Sequence, residues 1–122
     1  MSKIYDIIII GGGVAGLTAA LYAARKGLKT AVISENVGGQ LVLAEHIQNF
    51  PGFSGSGYDL VAKIKEQAIG VGAEIIYGKV VKLDKDASGF KITLFKGDAH
   101  EAKAVIIACG KIPRRLGIPG ED

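Results

Sequence analysis

The sequence is poor in the residue types on which several classes of protein depend. Its 122 residues include one cysteine, no tryptophan and three prolines, and only 7% are aromatic. Cys109 alone cannot close a disulfide within the chain, which excludes a disulfide scaffold and an internal Cys-x-x-Cys redox pair. With His46 and His100 as the only histidines, a metal site is not expected either. A single thiol is typical of a protein of the reducing cytoplasm.

Long apolar runs and runs of like charge are also missing. The longest apolar run near the N-terminus, residues 7–10, is far too short to span a bilayer, and Asp6 before it argues against a signal peptide. Lys and Arg number 15 against 12 Asp and Glu. Because the basic residues form no cluster, we expect neither nucleic acid nor a membrane as a partner.

Glycine is the abundant residue, with 18 copies in a chain that is otherwise 48% hydrophobic and 22% charged, as in ordinary globular domains. Glycine permits tight turns and close approach of the backbone to a ligand. The length predicts a single domain with a real core.

The first 35 residues alternate between strand and helix patterns. Residues 4–10 form a continuous apolar run, typical of a strand buried on both faces in a parallel sheet. Residues 14–26 are rich in Ala and Leu and precede Gly27, which is a typical helix end. Residues 29–35 predict a second strand, so that the segment forms a βαβ unit with a right-handed crossover.

The rest of the chain predicts an α/β fold, a parallel sheet with a small antiparallel β-meander as a crossover. A helix is expected at 58–69 and a third strand at 73–77, after which apolar and polar residues alternate as in antiparallel strands. The apolar run 104–108 predicts one more buried strand. Residues 36–57 combine glycines with apolar residues, which predicts an ordered loop that faces a ligand.

The turn between the first strand and the first helix carries a G-x-G-x-x-G motif at Gly11, Gly13 and Gly16. These glycines permit the turn, the approach of a pyrophosphate, and close packing of helix on strand. Backbone N–H groups at the start of the helix, at Val14 and Ala15, would point at the phosphates. The motif in this context predicts a Rossmann-like FAD/NAD(P)-binding domain.

A carboxylate follows the motif at the expected distance. Glu35 ends the second strand about 20 residues further on, where it can accept hydrogen bonds from a ribose diol. Up to this point the pattern fits FAD and NAD(P) equally well.

Four further stretches occur in order along the chain. They are Gly-Gly-Gln-Leu at 38–41, Asn-Phe-Pro-Gly at 49–52, Val-Ile-Ile-Ala-Cys-Gly at 105–110 and Leu-Gly-Ile-Pro-Gly at 116–120. With them the sequence resembles the thioredoxin reductase family of flavoproteins, which are pyridine nucleotide-disulfide oxidoreductases, over essentially its whole length. It is similar, less closely, to the ferredoxin–NADP reductases, which share the Gly-Gly-Gln stretch.

The resemblance implies that the cofactor is FAD and that the first glycine motif holds its pyrophosphate. It assigns the adenosine ribose to Glu35 and the adenine to the backbone at Val80. It assigns Gly39, Gln40 and Asn49 to the flavin end, where the side-chain amides of Gln40 and Asn49 can form hydrogen bonds with isoalloxazine or ribityl groups.

The resemblance also assigns a turn that closes over the FAD to residues 108–110. Ala108 and Gly110 match the family's Ala-Thr-Gly, and Cys109 replaces the threonine. Packing and backbone contacts would survive this replacement, whereas a hydroxyl hydrogen bond would not. We expect Cys109 to be a small structural thiol rather than a redox group.

By resemblance, residues 1–112 form an FAD-binding domain, incomplete relative to the family, and residues 113–122 a linker toward an NADPH domain. The whole enzyme would pass electrons from NADPH through FAD to a disulfide, with a thioredoxin-like protein as partner and a homodimer as one assembly. This chain, which carries no catalytic cysteine, would supply FAD binding only. The alternatives are a ferredoxin- or flavodoxin-linked NADP reductase and a stand-alone dinucleotide-binding module without turnover.

Overall fold

The computed structural model describes residues 3–111 and 115–120. Within these ranges the chain forms eight strands, two α-helices and one short 3₁₀ helix. In chain order they are β1 (Ile4–Ile10), α1 (Val14–Arg25), β2 (Thr30–Ser34), the 3₁₀ helix (Gly39–Leu43), β3 (Ile47–Phe50), β4 (Phe53–Gly55), α2 (Gly57–Gly70), β5 (Glu74–Tyr77), β6 (Val80–Asp86), β7 (Gly89–Leu94) and β8 (Ala99–Ile107).

Six of the strands form one sheet in the order β5-β2-β1-β8-β7-β6. β1 runs parallel to both β2 and β8, and β2 runs parallel to β5. β6, β7 and β8 are joined as an antiparallel meander. The predicted α/β fold with a meander set into a parallel sheet is therefore confirmed.

Among the described residues, much of the core falls into two apolar clusters, and β1 contributes to both. The first cluster joins β1 and β2 to small side chains of the helices, which let the helices approach closely. Its buried members are Ile9, Ala20, Ala24, Val32, Ala68 and Ala73. The second cluster joins β1 and β2 to the meander. Its buried members are Tyr5, Ile8, Ile10, Ala31, Ile33, Ile92, Leu94 and Ala102.

The loop predicted at 36–57 is ordered, and it leads into a capped helix. It contains the 3₁₀ helix and the β3-β4 hairpin. The hydroxyl of Ser56 accepts a hydrogen bond from the Asp59 backbone N–H at 3.1 Å, which begins α2. Leu60 and Val61 are buried on the inner face of this helix.

The prediction of a buried strand at 104–108 is wrong in one respect. β8 is one continuous strand, but Ile107 is 67% exposed although its register partner Ile10 is only 9% exposed. The reason is the position of the helical layer. α1 packs on β1 and β2, and α2 packs beside α1, so both helices lie away from the end of β8.

Residues 115–120 contain no helix or strand. Residues 112–114 and 121–122, with the predicted domain boundary at 112/113, lie outside the described residues. No helix within the described part of the chain is long and apolar enough to cross a membrane.

Candidate dinucleotide-binding site

The candidate site lies where the order of the parallel strands reverses direction. From β1 the chain continues to β2 on one side, while β8 arrives later on the other side. The carboxyl ends of β1 and β8 therefore flank a crevice of the kind in which open α/β sheets bind ligands.

The glycine turn is shaped by steric limits that only glycine satisfies. Gly11 has a φ of +116°, and a Cβ built there would lie 2.0 Å from the carbonyl oxygen of Ala108. A Cβ on Gly16 would lie 1.8 Å from the carbonyl oxygen of Gly11. The turn thus packs directly on the strand-end of β8, and α1 packs directly on the turn.

The start of α1 is open to an anion. Gly13 is its N-cap and has no side chain with which to cap the helix, and the first turn contains no acidic residue. The first N–H groups of a helix lack intrahelical partners and carry the positive end of the helix dipole. A phosphate is the ligand that this arrangement favours.

A groove of about 430 Å³ runs over this turn. It is lined by the glycine turn and the start of α1, the residues after β2, the start of the 3₁₀ helix and the loop after β8. The lining residues are Gly11, Gly12, Gly13, Val14, Ala15, Ser34, Asn36, Gly38, Gly39, Gln40, Leu41, Ala108, Cys109, Gly110 and Lys111.

Most of the residues predicted from the sequence meet in this groove, and four do not line it. Gly16 lies beneath the turn and is buried. Glu35 lines a second cavity instead. Asn49, exposed on β3, and Val80, half-buried at the start of β6, line neither cavity.

The second cavity has a volume of about 680 Å³ and lies beside the groove at the carboxyl end of β2. It is bounded by the ends of β2 and β5 and by the turn after β7. Its lining combines aromatic and apolar side chains with two acids and two lysines. These residues are Glu35, Tyr77, Gly78, Lys79, Leu94, Phe95, Lys96 and Asp98.

The end of β2 divides the two cavities. The Ser34 hydroxyl donates to the carbonyl oxygen of Asn36, two residues on, and the Gly78 N–H donates to the Ser34 carbonyl at 3.0 Å. These bonds fix the backbone on both sides of Glu35, so its exposed carboxylate stands at the rim of the second cavity while Ser34 and Asn36 line the groove.

Cys109, which the resemblance placed in the turn over the FAD, is exposed on the groove wall, with its Sγ 3.8 Å from the carbonyl oxygen of Ile10. Several other lining residues were not predicted from the sequence. Lys79 and Lys96 are two of them, and both are placed by tertiary contacts. Lys79 follows β5, whose Tyr77 pairs with Ser34 of β2. Lys96 is brought beside it because the Phe95 N–H donates to the Lys79 carbonyl oxygen at 2.7 Å.

Among residues 3–111 and 115–120, no three of the His, Cys, Asp and Glu side chains come close enough together to hold a metal ion. The two cavities offer backbone amides around the glycine turn, and the charged side chains of Glu35, Asp98, Lys79 and Lys96 in the second cavity.

Comparison with known proteins gives consistent matches. A family model described as pyridine nucleotide-disulphide oxidoreductase matches residues 5–122. The thioredoxin reductase of Treponema pallidum is 44% identical, over 100% of this chain and 40% of that protein. The crystal structure of the thioredoxin reductase from Streptococcus pyogenes superposes with a TM-score of 0.89 at 41% identity, covering 98% of this chain and 40% of that one. For the Lactococcus lactis enzyme the TM-score is 0.88 at 39% identity, with 96% and 39% covered.

These matches confirm the resemblance to thioredoxin reductases predicted from the motifs. They also set its extent, since the chain spans about 40% of the length of the relatives it matches.

Proposed function

This chain belongs to the pyridine nucleotide-disulphide oxidoreductase family, and we propose that it forms the FAD-binding portion of a thioredoxin-reductase-like flavoprotein. Residues 1–112 are the proposed FAD-binding domain and residues 113–122 the proposed linker. In the whole enzyme, bound FAD would supply the route by which electrons from NADPH reach a disulfide.

The observation that carries this proposal is the glycine turn opposite the open start of α1. A pyrophosphate would lie against the backbone of Gly11 and Gly13, which line the groove. The N–H groups around Val14 and Ala15 would donate to it, while Gly16 keeps α1 close beneath. The residues present therefore fit the charged middle of a dinucleotide.

The second cavity supports an adenosine at the far side of the pyrophosphate. Glu35 stands at its rim, where its carboxylate would accept hydrogen bonds from the ribose diol. Leu94, Phe95 and Tyr77 offer apolar and aromatic surface for an adenine. The backbone of Val80 would contact the adenine, since its neighbour Lys79 lines this cavity.

The opposite end of the groove is the proposed place of the flavin. Gly39 and Gln40 line it on one wall, and Ala108 and Gly110 line it on the other. Asn49 remains a candidate for the flavin end, which it would reach only if a ligand extends beyond the groove. The chain's own residues would bind and orient the cofactor and would exclude water from it.

The partners follow from the family rather than from this site. We propose a thioredoxin-like protein as the electron acceptor of the whole enzyme, with a homodimer as its assembly. The single cysteine supports a reducing cytoplasm as its location.

A binding experiment tests the choice of cofactor. The purified chain is mixed with FAD or, in parallel, with NADPH, and passed over a desalting column. We expect FAD, detected by its absorption spectrum, to elute with the protein and the flavin fluorescence to change on binding. NADPH should elute separately. Preferential retention of NADPH would contradict the proposal and would favour a module that binds a nicotinamide nucleotide.

A further inference from the structure

The wall of the groove formed by residues 108–111 is held firmly only at its beginning. The Ala108 N–H donates to the carbonyl oxygen of Ile10 at 2.8 Å, which continues the pairing of β8 with β1. Ala108 also packs so closely on Gly11 that there is no space between them for a Cβ on Gly11. The loop therefore starts from a fixed point.

The far end of the same loop has much less support. Residues 109–111 are exposed. Gly110 has a φ of +65°, and a Cβ built on it would have no neighbouring atom within 4 Å. The Cys109 thiol makes a long contact with the carbonyl oxygen of Ile10, with its Sγ at 3.8 Å. Beyond Cys109, the end of the loop receives a hydrogen bond from Gln40, whose side-chain Nε2 donates to the carbonyl oxygen of Lys111 at 3.1 Å. The two residues are 71 positions apart and stand on opposite walls of the groove.

Gln40 lies in the 3₁₀ helix, which is held in place by contacts on two sides. The Gly38 N–H, just before the 3₁₀ helix, donates to the carbonyl oxygen of Gly12 at 2.7 Å. A Cβ on Gly38 would lie 2.3 Å from the Val42 side chain and 3.2 Å from that of Val61 on α2. The 3₁₀ helix is thus fixed between the glycine turn and α2, and it can restrain a looser segment.

We propose that Gln40 is a positioning residue that ties the loop 108–111 across the groove and thereby slows the release of FAD. The inference rests on the proposed function, because it takes FAD as the occupant of the groove. The bridge uses one N–H of the Gln40 amide, so the second N–H and Oε1 stay available for the contact with the flavin end proposed above. Cleavage of the ligand-free chain separates the bridge from that contact.

The test uses two variants that remove the donor in different ways. Gln40→Glu preserves size but adds a charge, whereas Gln40→Met is neutral and of similar length. Gln67→Glu, on the exposed side of α2, is the control for an added carboxylate. Thermal unfolding of all four proteins shows whether the fold is preserved.

The first readout needs no ligand. Trypsin attacks the carbonyl carbon of Lys111, whose oxygen accepts the hydrogen bond from Gln40. Loss of one such bond should speed cleavage after Lys111 by about twofold to tenfold in both Gln40 variants, as followed by mass spectrometry. The Gln67 control should be cleaved at the wild-type rate. Unchanged cleavage in both Gln40 variants would overturn the proposal.

The second readout is the kinetics of FAD, by stopped-flow fluorescence. Both Gln40 variants should release FAD about twofold to tenfold faster with an unchanged association rate. Faster release by Gln40→Glu alone would identify charge repulsion and would also overturn the proposal. If the wild-type chain binds no FAD, the proposed function fails, and tryptic cleavage alone decides whether Gln40 restrains the loop.

Discussion

The two ends of the parallel sheet are built on different principles. At the amino end, side chains pair with one another: Lys3 with Glu74, and Lys103 with Asp6 at 3.4 Å. Asp6 also accepts a hydrogen bond from the Lys29 N–H at 2.7 Å. At the carboxyl end the groove is instead bounded largely by glycines and by backbone. At the amino end charged side chains are paired with one another, although Oε2 of Glu74 has no hydrogen-bond partner among the described residues. At the carboxyl end no described side chain caps the start of α1, so its first N–H groups are open to a ligand.

Tyr5 shows how closed the amino end is. Its side chain is only 5% exposed, and the Nζ atoms of Lys3 and Lys29 lie 5.5 and 5.7 Å from its ring centroid. Burial, followed by the neighbouring Glu74 carboxylate, raises the pKa of Tyr5 to about 12. A hydrogen bond from Lys3 lowers the pKa of Glu74. The comparison therefore predicts ligand effects at one end and pH-dependent stability at the other.

The largest effect is expected from Gly11→Ala at the carboxyl end. An alanine at this position would have an unfavourable φ of +116°, and its Cβ would lie 2.0 Å from the Ala108 carbonyl oxygen, which is an overlap. The free variant should shift its turn to relieve this strain, and restoring the binding geometry would then cost about 2–3 kcal/mol. FAD affinity should therefore fall about a hundredfold, as measured by fluorescence titration. Gly70→Ala, in open space at the end of α2, is the control and should bind as wild type. An affinity of Gly11→Ala within threefold of wild type would show that the turn does not hold the ligand.

A smaller effect is expected at the rim of the second cavity. Glu35→Ala removes an acceptor for the ribose diol, and a hydrogen bond to a charged group contributes about 1.5–3 kcal/mol. FAD affinity should fall about tenfold or more in a titration at low salt. Glu66→Ala, which removes the same charge from an exposed position on α2, should have little effect. Equal affinities for the two variants would mean that Glu35 faces solvent.

The smallest effect on the ligand, and a distinct effect on stability, is expected from Tyr5→Phe at the amino end. In the unfolded chain tyrosine titrates near 10, whereas in the folded chain the pKa of Tyr5 is about 12. The unfolded state therefore loses this proton first, and folding stability declines as pH rises from 10 toward 12. Tyr5→Phe should lack this decline, while FAD affinity at pH 7 should be unchanged.

Urea unfolding at pH 9, 10 and 11 measures this difference. Tyr22→Phe, on the exposed face of α1, is the matched control and should retain the alkaline decline of the wild type. If Tyr5→Phe also declines as the wild type does, the burial of the Tyr5 hydroxyl does not control alkaline stability.

The pattern of apolar residues predicted strands well and their environment less well. β1 and the end of β8 have similar apolar sequences, yet Ile9 is 0% exposed and its register partner Ile106 is 38% exposed. Composition and periodicity report that a segment can be a strand. They do not report which part of a sheet the helices cover, because that depends on where α1 and α2 pack.

The candidate site divides in the same way. The turn at 11–16 and the carboxylate at the end of β2 were predictable because each depends on residues close in sequence. The lysines of the second cavity were not, since Lys79 reaches it through the pairing of β5 with β2 and Lys96 through the pairing of β7 with β6. Asn49 was assigned to the site by resemblance and lies on β3, outside both cavities.

The βαβ unit at 4–35 and its glycine turn follow from local sequence, because hydrophobic periodicity and the steric freedom of glycine act over a few residues. The pairing of β8 with β1, the contact of Ala108 with Gly11 and the hydrogen bond from Gln40 to Lys111 depend instead on the folded chain. These contacts join residues far apart in the chain, and their positions follow from strand register and helix packing, which no local pattern encodes.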